Sequence, residues 1–197
     1  MARILLDIDN TLTTPDVIIN TMADMFGKEY ITSDDLKSYT MGKAFNVSRE
    51  QERMFWELFG YQVLESSELN IATTTSIFNN IIKEDDYVIV MTARPHEYEF
   101  ITVNWLKNHG IKYDELVLVG DNSKIGFIER YQIDTVIDDK PHLFSEIEVV
   151  SDLFPASNTA KLIRNGEFRR YVVDYPYNSD SVCEYRINRE TGEIKEG

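Results

Sequence analysis

The hydrophobic positions of this chain fall into short apolar runs separated by stretches with helical spacing. Four runs are rich in Val, Ile and Leu and end in acidic or small residues: Arg3–Asp7, Tyr87–Met91, Glu115–Val119 and Thr135–Asp138. Such runs are typical of strands buried on both faces. Between the later runs, apolar residues such as Ile101, Trp105 and Leu106 recur at helical intervals. Strands that alternate with helices predict an α/β fold with a parallel sheet. Two further runs, Phe168–Tyr175 and Val182–Ile187, predict strands, and a turn at Glu190–Gly192 predicts a hairpin near the C-terminus.

One long stretch breaks this alternation. Residues 14–86 have helical spacing and include a capping box, Ser48 with Gln51, ahead of an aromatic-rich helix. A segment of this length is too long for an ordinary connection between strands. We therefore expect a small helical cap inserted after the first strand, with residues 1–13 and 87–197 forming the core domain.

Polar residues stand at the C-terminal ends of the predicted strands: Asp7 and Asp9 after the first, Thr92 after the second, Lys124 after the third, and Asp138 and Asp139 at the fourth. Ends of parallel strands meet at one edge of a sheet, so these side chains should converge. Neighbouring buried acids repel and resist desolvation, and Mg²⁺, which takes oxygen ligands, relieves both effects. Thr92 and Lys124 would supply a hydroxyl donor and a positive charge to phosphate oxygens.

The segment DIDNTLT, residues 7–13, resembles the first motif, DxDx[TV], of the haloacid dehalogenase superfamily of phosphohydrolases. Thr92, Lys124 and the Asp138–Asp139 pair match its second, third and fourth motifs in the same order. The resemblance implies a Rossmann-like, three-layer α/β/α core that carries out catalysis. It also implies hydrolysis of phosphoric monoesters, because the phosphatases of this superfamily have an acid where Asp9 stands, whereas its dehalogenases need none.

The resemblance implies a role for each matching residue. Asp7 would be the nucleophile that forms an aspartyl-phosphate, and Asp9 would protonate the leaving group and then deprotonate the attacking water. Mg²⁺ would be held by Asp7, the backbone carbonyl of Asp9, and one of Asp138 or Asp139. The resemblance implies that Thr92 and Lys124 hold the phosphoryl group. We expect Ala93, Arg94 and, from the aromatic residues of the cap, Trp56 to bind substrate as well. Arg94 could reach a phosphate or could cap the edge of the strand in solvent.

Further segments are similar to the C-type 5'(3')-deoxyribonucleotidases and their bacterial and phage relatives: a cap of this length, FWE at 55–57, TARP at 92–95, and IDDKP followed by VVDYPYN at 172–178. The implied substrate is a nucleoside monophosphate, in deoxyribonucleotide catabolism. The chain departs from the eukaryotic pattern, with Asn10 in place of Gly and Ala93 where Ser is common. The alternative is a phosphatase with the same site that acts on a sugar phosphate or another small metabolite.

Aromatic residues of the predicted cap could contact such a substrate: Phe45, Phe55, Trp56, Phe59 and Tyr61. Their rings could stack on a base, or they could pack the small core of the cap itself.

The composition of the chain disfavours nucleic acid and membranes as binding partners. The formal net charge of -14 argues against broad binding to nucleic acid or to an anionic membrane. Cys183 is the one cysteine, and no apolar run approaches the roughly 18 residues of a membrane span. No signal peptide is apparent, so we expect a cytoplasmic protein.

A phospho-accepting signalling domain is disfavoured because its phosphorylated Asp would follow the acidic pair in the sequence. The oligomeric state stays open, with a homodimer as one alternative.

Overall fold

The structure is a computed structural model and describes residues 1–120 and 122–197. Its strands are β1 (Arg3–Leu6), β2 (Tyr87–Thr92), β3 (Glu115–Leu118), β4 (Thr135–Asp138), β5 (Arg169–Val173), β6 (Tyr185–Ile187) and β7 (Ile194–Glu196). They form one sheet in the order β3-β2-β1-β4-β5-β6-β7. All neighbouring pairs are parallel except β6 and β7, which form the C-terminal antiparallel pair. The predicted parallel sheet and C-terminal hairpin are thus confirmed.

The helices lie mainly between β1 and β2 and between the later strands. They are α1 (Asp16–Phe26), α2 (Met41–Ala44), α3 (Arg49–Glu65), α4 (Ile71–Ser76), α5 (Glu99–Asn108), α6 (Ile125–Arg130), α7 (Leu143–Leu153) and α8 (Asn158–Arg164). A π-helical turn, Ile77–Ile81, continues α4, and a 3₁₀ turn, Pro176–Asn178, follows β5. Across the described part of the chain, we find no helix with the combined length and apolar character that crossing a membrane requires.

Side chains alternate along each strand, so both faces of the sheet carry apolar residues, and helices cover both faces. Ile4 and Leu6 of β1 pack on one face, in a cluster that includes Trp105 of α5. Leu5 packs on the opposite face, in a cluster that includes Phe144 of α7. This arrangement is the Rossmann-like, three-layer α/β/α fold that the sequence predicts.

The segment between β1 and β2 has a hydrophobic cluster of its own, formed by residues of α1, α2 and α3 together with two side chains from the start of α5 and the turn before it. The predicted capping box begins α3: the Ser48 hydroxyl accepts from the Gln51 amide at 3.2 Å, and the Gln51 side chain accepts from the Ser48 amide at 2.8 Å. Ile77, later in the segment, packs in the sheet cluster instead. The domain boundaries at residues 14 and 86 stay a prediction.

The stretch that follows β1 is bonded to residues 68–70, which come just before α4. Thr13 and Leu69 form an isolated antiparallel bridge, and the Asn70 amide donates to the Leu12 carbonyl at 2.7 Å. Since residues 7–13 follow the carboxyl end of β1, these bonds place the inserted segment beside the edge where the predicted acids lie.

Candidate active site

Three buried acids meet at the carboxyl ends of β1 and β4. The two strands are neighbours in register, with Leu6 opposite Ile137, so the residues that follow them come side by side. One carboxylate oxygen from each of Asp7, Asp138 and Asp139 can be chosen so that all three lie within 4.8 Å of one another. None of these residues is more than 5% exposed. The structure therefore brings Asp7 together with an acidic pair that lies more than 130 positions later in the chain, as the strand-end pattern predicts.

The acids are poorly tolerated as charged groups at this position. Burial raises the pKa of Asp7 well above its ordinary value; Lys124 opposes the rise, and Asp138 and Asp139 add to it. Burial and the neighbouring Asp138 likewise raise the pKa of Asp139. A hard divalent cation removes this penalty, and a set of donors made only of carboxylate oxygens suits Mg²⁺. The residues present thus fit a divalent metal ion.

Lys124 is the cation nearest to this group in the structure. Its ammonium donates to Asp7 Oδ1 at 2.6 Å and to Asp138 Oδ2 at 2.7 Å, and its side chain is 6% exposed. Burial alone would lower the pKa of Lys124, but Asp138 and Asp7 outweigh burial and raise it. The lysine is therefore charged, and it holds the ends of β1 and β4 together from the start of α6.

Asp9 lies beside this group, held by Arg94. Two nitrogens of the guanidinium bind its carboxylate, Nη2 to Oδ1 at 2.7 Å and Nε to Oδ2 at 3.0 Å. The Thr92 hydroxyl also donates to Asp9, at a longer 3.4 Å. The Arg94 side chain is 2% exposed, whereas that of Asp9 is 31% exposed. Arg94 is therefore engaged with a predicted catalytic acid instead of standing in solvent, and its contact with substrate stays a prediction.

A second network, which the sequence analysis missed, holds Asp139. The Tyr177 hydroxyl donates to Asp139 Oδ2, and the Asn10 side-chain amide approaches the same oxygen at 3.3 Å and the Tyr177 hydroxyl at 3.2 Å. The Asn178 side chain donates to the Asp139 carbonyl and to the Val173 carbonyl, each at 2.8 Å. The turn Pro176–Asn178 thereby brings the C-terminal part of the chain into the site. The segment VVDYPYN, noted only for its similarity to a family ending, was the one hint in the sequence.

The remaining predicted site residues lie apart from these networks. Ala93 is exposed between Thr92 and Arg94. Trp56 packs edge-on against Phe55, with ring centroids 5.3 Å apart, in the cluster of the inserted segment. Its contact with substrate stays a prediction.

Another ring of the inserted segment lies near the acids. Tyr39 meets Tyr177 edge-on at 5.6 Å between centroids. Burial, together with Asp139 and its acidic neighbours, raises the pKa of Tyr39. Tyr39 is 37% exposed, so part of its surface remains open to solvent beside the acids. No periodicity in the sequence marks this residue.

Curated relatives with similar sequences are named as nucleotidases. Putative nucleotidase YqfW of Bacillus subtilis is 27% identical over 140 residues, which cover 71% of this chain and 70% of that protein. Nucleotidase CA_C3379 of Clostridium acetobutylicum is 26% identical over 137 residues, 70% of each chain.

The fold has solved counterparts. The haloacid dehalogenase-like hydrolase SP0104 from Streptococcus pneumoniae superposes with a TM-score of 0.56 at 12% sequence identity, covering 88% of this chain and 85% of that one. This likeness confirms the fold, and the names of the curated relatives confirm the resemblance to nucleotidases drawn from the motifs. A family profile described as "Protein of unknown function (DUF2608)" matches residues 2–144. That range holds every predicted catalytic acid and covers well over half of the sequence, so the chain belongs to the DUF2608 family.

Proposed function

We propose that this chain is a cytoplasmic, Mg²⁺-dependent phosphomonoesterase that acts as a 5'(3')-deoxyribonucleotidase on nucleoside monophosphates. The predicted class of enzyme, a phosphoric monoester hydrolase, agrees with the nucleotidase names of its relatives. The finer assignment to deoxyribonucleotides rests on the resemblance of the motifs and is part of the proposal.

One observation carries the proposal. Three buried carboxylates, two of which pair with the Lys124 ammonium, lie next to a further acid that is partly open to solvent. A purely structural cluster would have little reason to bury three acids against one lysine, because each uncompensated buried charge destabilises the fold. A metal ion would compensate the charge of the acids, and a phosphoryl group would accept hydrogen bonds from the lysine.

In the proposed reaction, Asp7 attacks the phosphorus of the monoester, and the bond to the leaving alcohol breaks as Asp9 gives the alcohol a proton. Asp9 then takes a proton from water as the water attacks phosphorus, which releases inorganic phosphate and restores the Asp7 carboxylate. Lys124 and Thr92 stabilise charge on the phosphoryl oxygens. Asp7, Asp138 and Asp139, with the Asp9 carbonyl, would hold Mg²⁺, which supplies positive charge to the same oxygens.

We further propose that the inserted segment, residues 14–86, caps the core and selects the substrate. The bonds between residues 12–14 and residues 68–70 place it beside the acids, and Tyr39 offers a ring there. An aromatic ring next to a phosphoryl site suits the stacking of a base. The proposal therefore expects a nucleotide to lie with its phosphate at the acids and its base toward this segment.

The test is phosphate release, with and without Mg²⁺, from 5'- and 3'-monophosphates of deoxyribo- and ribonucleosides, several sugar phosphates and an aryl phosphate. Asp7→Asn and Asp9→Asn remove the two acids, and Asp180→Asn makes the same change at an exposed position outside the site. We expect a preference for deoxyribonucleotides, dependence on Mg²⁺, loss of activity in the first two variants and full activity in the third.

The outcomes separate chemistry from substrate. A preference for sugar phosphates, with both site variants inactive, would keep the reaction and overturn the nucleotidase assignment. Phosphate release that is equal in Asp7→Asn and in the parent protein would overturn the catalytic assignment itself.

A further inference from the structure

Asp139 is held differently from the acid that precedes it. Both oxygens of Asp138 are engaged, Oδ2 by Lys124 and Oδ1 by the Lys140 amide at 2.8 Å. For Asp139, Tyr177 and Asn10 bind the same oxygen, Oδ2. Its Oδ1 accepts no hydrogen bond from the described residues. The carboxylate of Asp139 is thus fixed by one oxygen while the other remains available.

The two groups that bind Asp139 also support each other. The amide of Asn10 reaches both the carboxylate and the Tyr177 hydroxyl. Asn10 has a positive φ of 61°, in the left-handed region that Asn and Gly tolerate best. That backbone turn directs the side chain of the residue after Asp9 back toward β4. A glycine in this position would keep the turn but lose the contact.

We propose that Tyr177 and Asn10 are positioning residues for the metal centre: together they orient Asp139 so that its unbound oxygen faces the metal ion. The inference rests on the proposed function, since it assumes that the three acids hold a divalent cation. Tyr177 lies beyond residue 144, where the family match ends. The C-terminal segment would therefore complete a site whose catalytic residues all lie within the matched region.

The fold supplies a matched control in Tyr175, two residues before Tyr177. The Tyr175 ring stacks on the Tyr177 ring, with centroids 5.1 Å apart and planes 4° from parallel. The Tyr175 hydroxyl is buried and hydrogen-bonds to none of the described residues. Tyr175→Phe and Tyr177→Phe thus each remove one hydroxyl from the same aromatic stack, but only the second removes a bond to Asp139.

The experiment measures binding of Mg²⁺ alone by calorimetry, and of Mn²⁺ as a second probe, to the full chain and to Tyr177→Phe, Asn10→Gly and Tyr175→Phe. Loss of a group that orients a metal ligand typically weakens metal affinity by about 10-fold to about 100-fold. We expect a loss of that size in Tyr177→Phe and in Asn10→Gly, and a change of less than about twofold in Tyr175→Phe. Because both groups act on one oxygen, the double variant should lose less affinity than the two single losses multiplied.

Thermal unfolding in EDTA checks that each variant is folded, and Asn10→Gly still tests the proposal if Tyr177→Phe does not fold. Equal metal affinity in Tyr177→Phe and the parent protein would overturn the inference, as would an equal loss in Tyr175→Phe. Phosphate release by the parent protein is measured separately. An inactive parent with the expected pattern of metal affinities would overturn the proposed function and leave the positioning role standing.

Discussion

Replacing Lys124 by methionine tests whether the acids are held together by charge. Methionine has a similar length and no charge, so the substitution removes the ammonium that lies 2.6 Å from Asp7 and 2.7 Å from Asp138 while largely filling its volume. Both partner side chains are buried, at 8% and 1% exposure, so water cannot take over the role of the lysine. The variant therefore leaves two buried carboxylates without their common counter-ion.

Removing one partner from a buried ion pair typically destabilises a protein by about 3–5 kcal/mol. We take about 4 kcal/mol as the expected loss for Lys124→Met in the absence of metal. For a domain of this size, where 1 kcal/mol corresponds to about 2–4 °C, the melting temperature should fall by about 8–16 °C. Protonation of the acids would offset part of the loss, so the loss should be largest at about pH 8, where protonation is least favourable.

The assay is urea denaturation of the parent protein and Lys124→Met, in EDTA and in Mg²⁺. The control is Lys140→Met, because Lys140 stands next to Asp139 in sequence but its side chain is 29% exposed and pairs only loosely with Glu146, at 3.7 Å. We expect less than about 1 kcal/mol of destabilisation in the control. Mg²⁺ should reduce the loss in Lys124→Met, since it supplies positive charge to the same carboxylates. A loss below about 1 kcal/mol in Lys124→Met, equal to that of the control, would refute the reasoning.

Three further substitutions test separate parts of the structure. Arg94→Met removes the guanidinium that holds the Asp9 carboxylate. We expect the kcat of phosphate release to fall by about 10-fold or more, because a misplaced Asp9 loses part of its contribution as general acid and base. An unchanged kcat would show that Asp9 does not need Arg94. Ser48→Ala removes the cap of α3 and should lower the free energy of unfolding by about 1 kcal/mol in urea, whereas an unaltered midpoint would mean that this helix end contributes little. Asp139→Asn tests the raised pKa of Asp139: a raised folded-state pKa means that the native protein binds the proton more tightly than the unfolded chain, so ionisation destabilises the fold as pH rises. The melting temperature of Asp139→Asn minus that of the parent protein, both in EDTA, should therefore increase from about pH 5 to about pH 8. A difference that decreases over this range would contradict the raised pKa of Asp139.

The sheet and its acids could be predicted because both follow from local patterns. Short apolar runs mark β1, β2, β3 and β4, and the rule that parallel strands end at one edge brings Asp7 and Asp138 together without knowledge of any distance. The predicted run Thr135–Asp138 coincides with β4. In these elements the local preference and the global fold agree, which is the condition under which a sequence can be interpreted residue by residue.

The contacts made by Arg94 and Tyr177 could not be predicted in the same way. Arg94 binds Asp9 across 85 positions from a loop, and Tyr177 binds Asp139 across 38 positions from a short 3₁₀ turn. Periodicity gives the direction of a side chain only within a helix or strand, so nothing local indicates where such residues point. Trp56 shows the opposite difficulty, because an aromatic residue on a helix satisfies the pattern of a core residue and of a binding residue equally well.

The antiparallel bridge between Thr13 and Leu69 has a consequence for how this protein could change over time. Because residues 14–68 begin and end as two neighbouring, hydrogen-bonded stretches of chain, their replacement by a short turn would leave β1 before them and α4 after them in place. Segments of other lengths and compositions could be exchanged at the same junction without moving Asp7 or Asp138. Under the proposed role of the inserted segment, a chimaera made at this junction would transfer substrate preference between members of this fold.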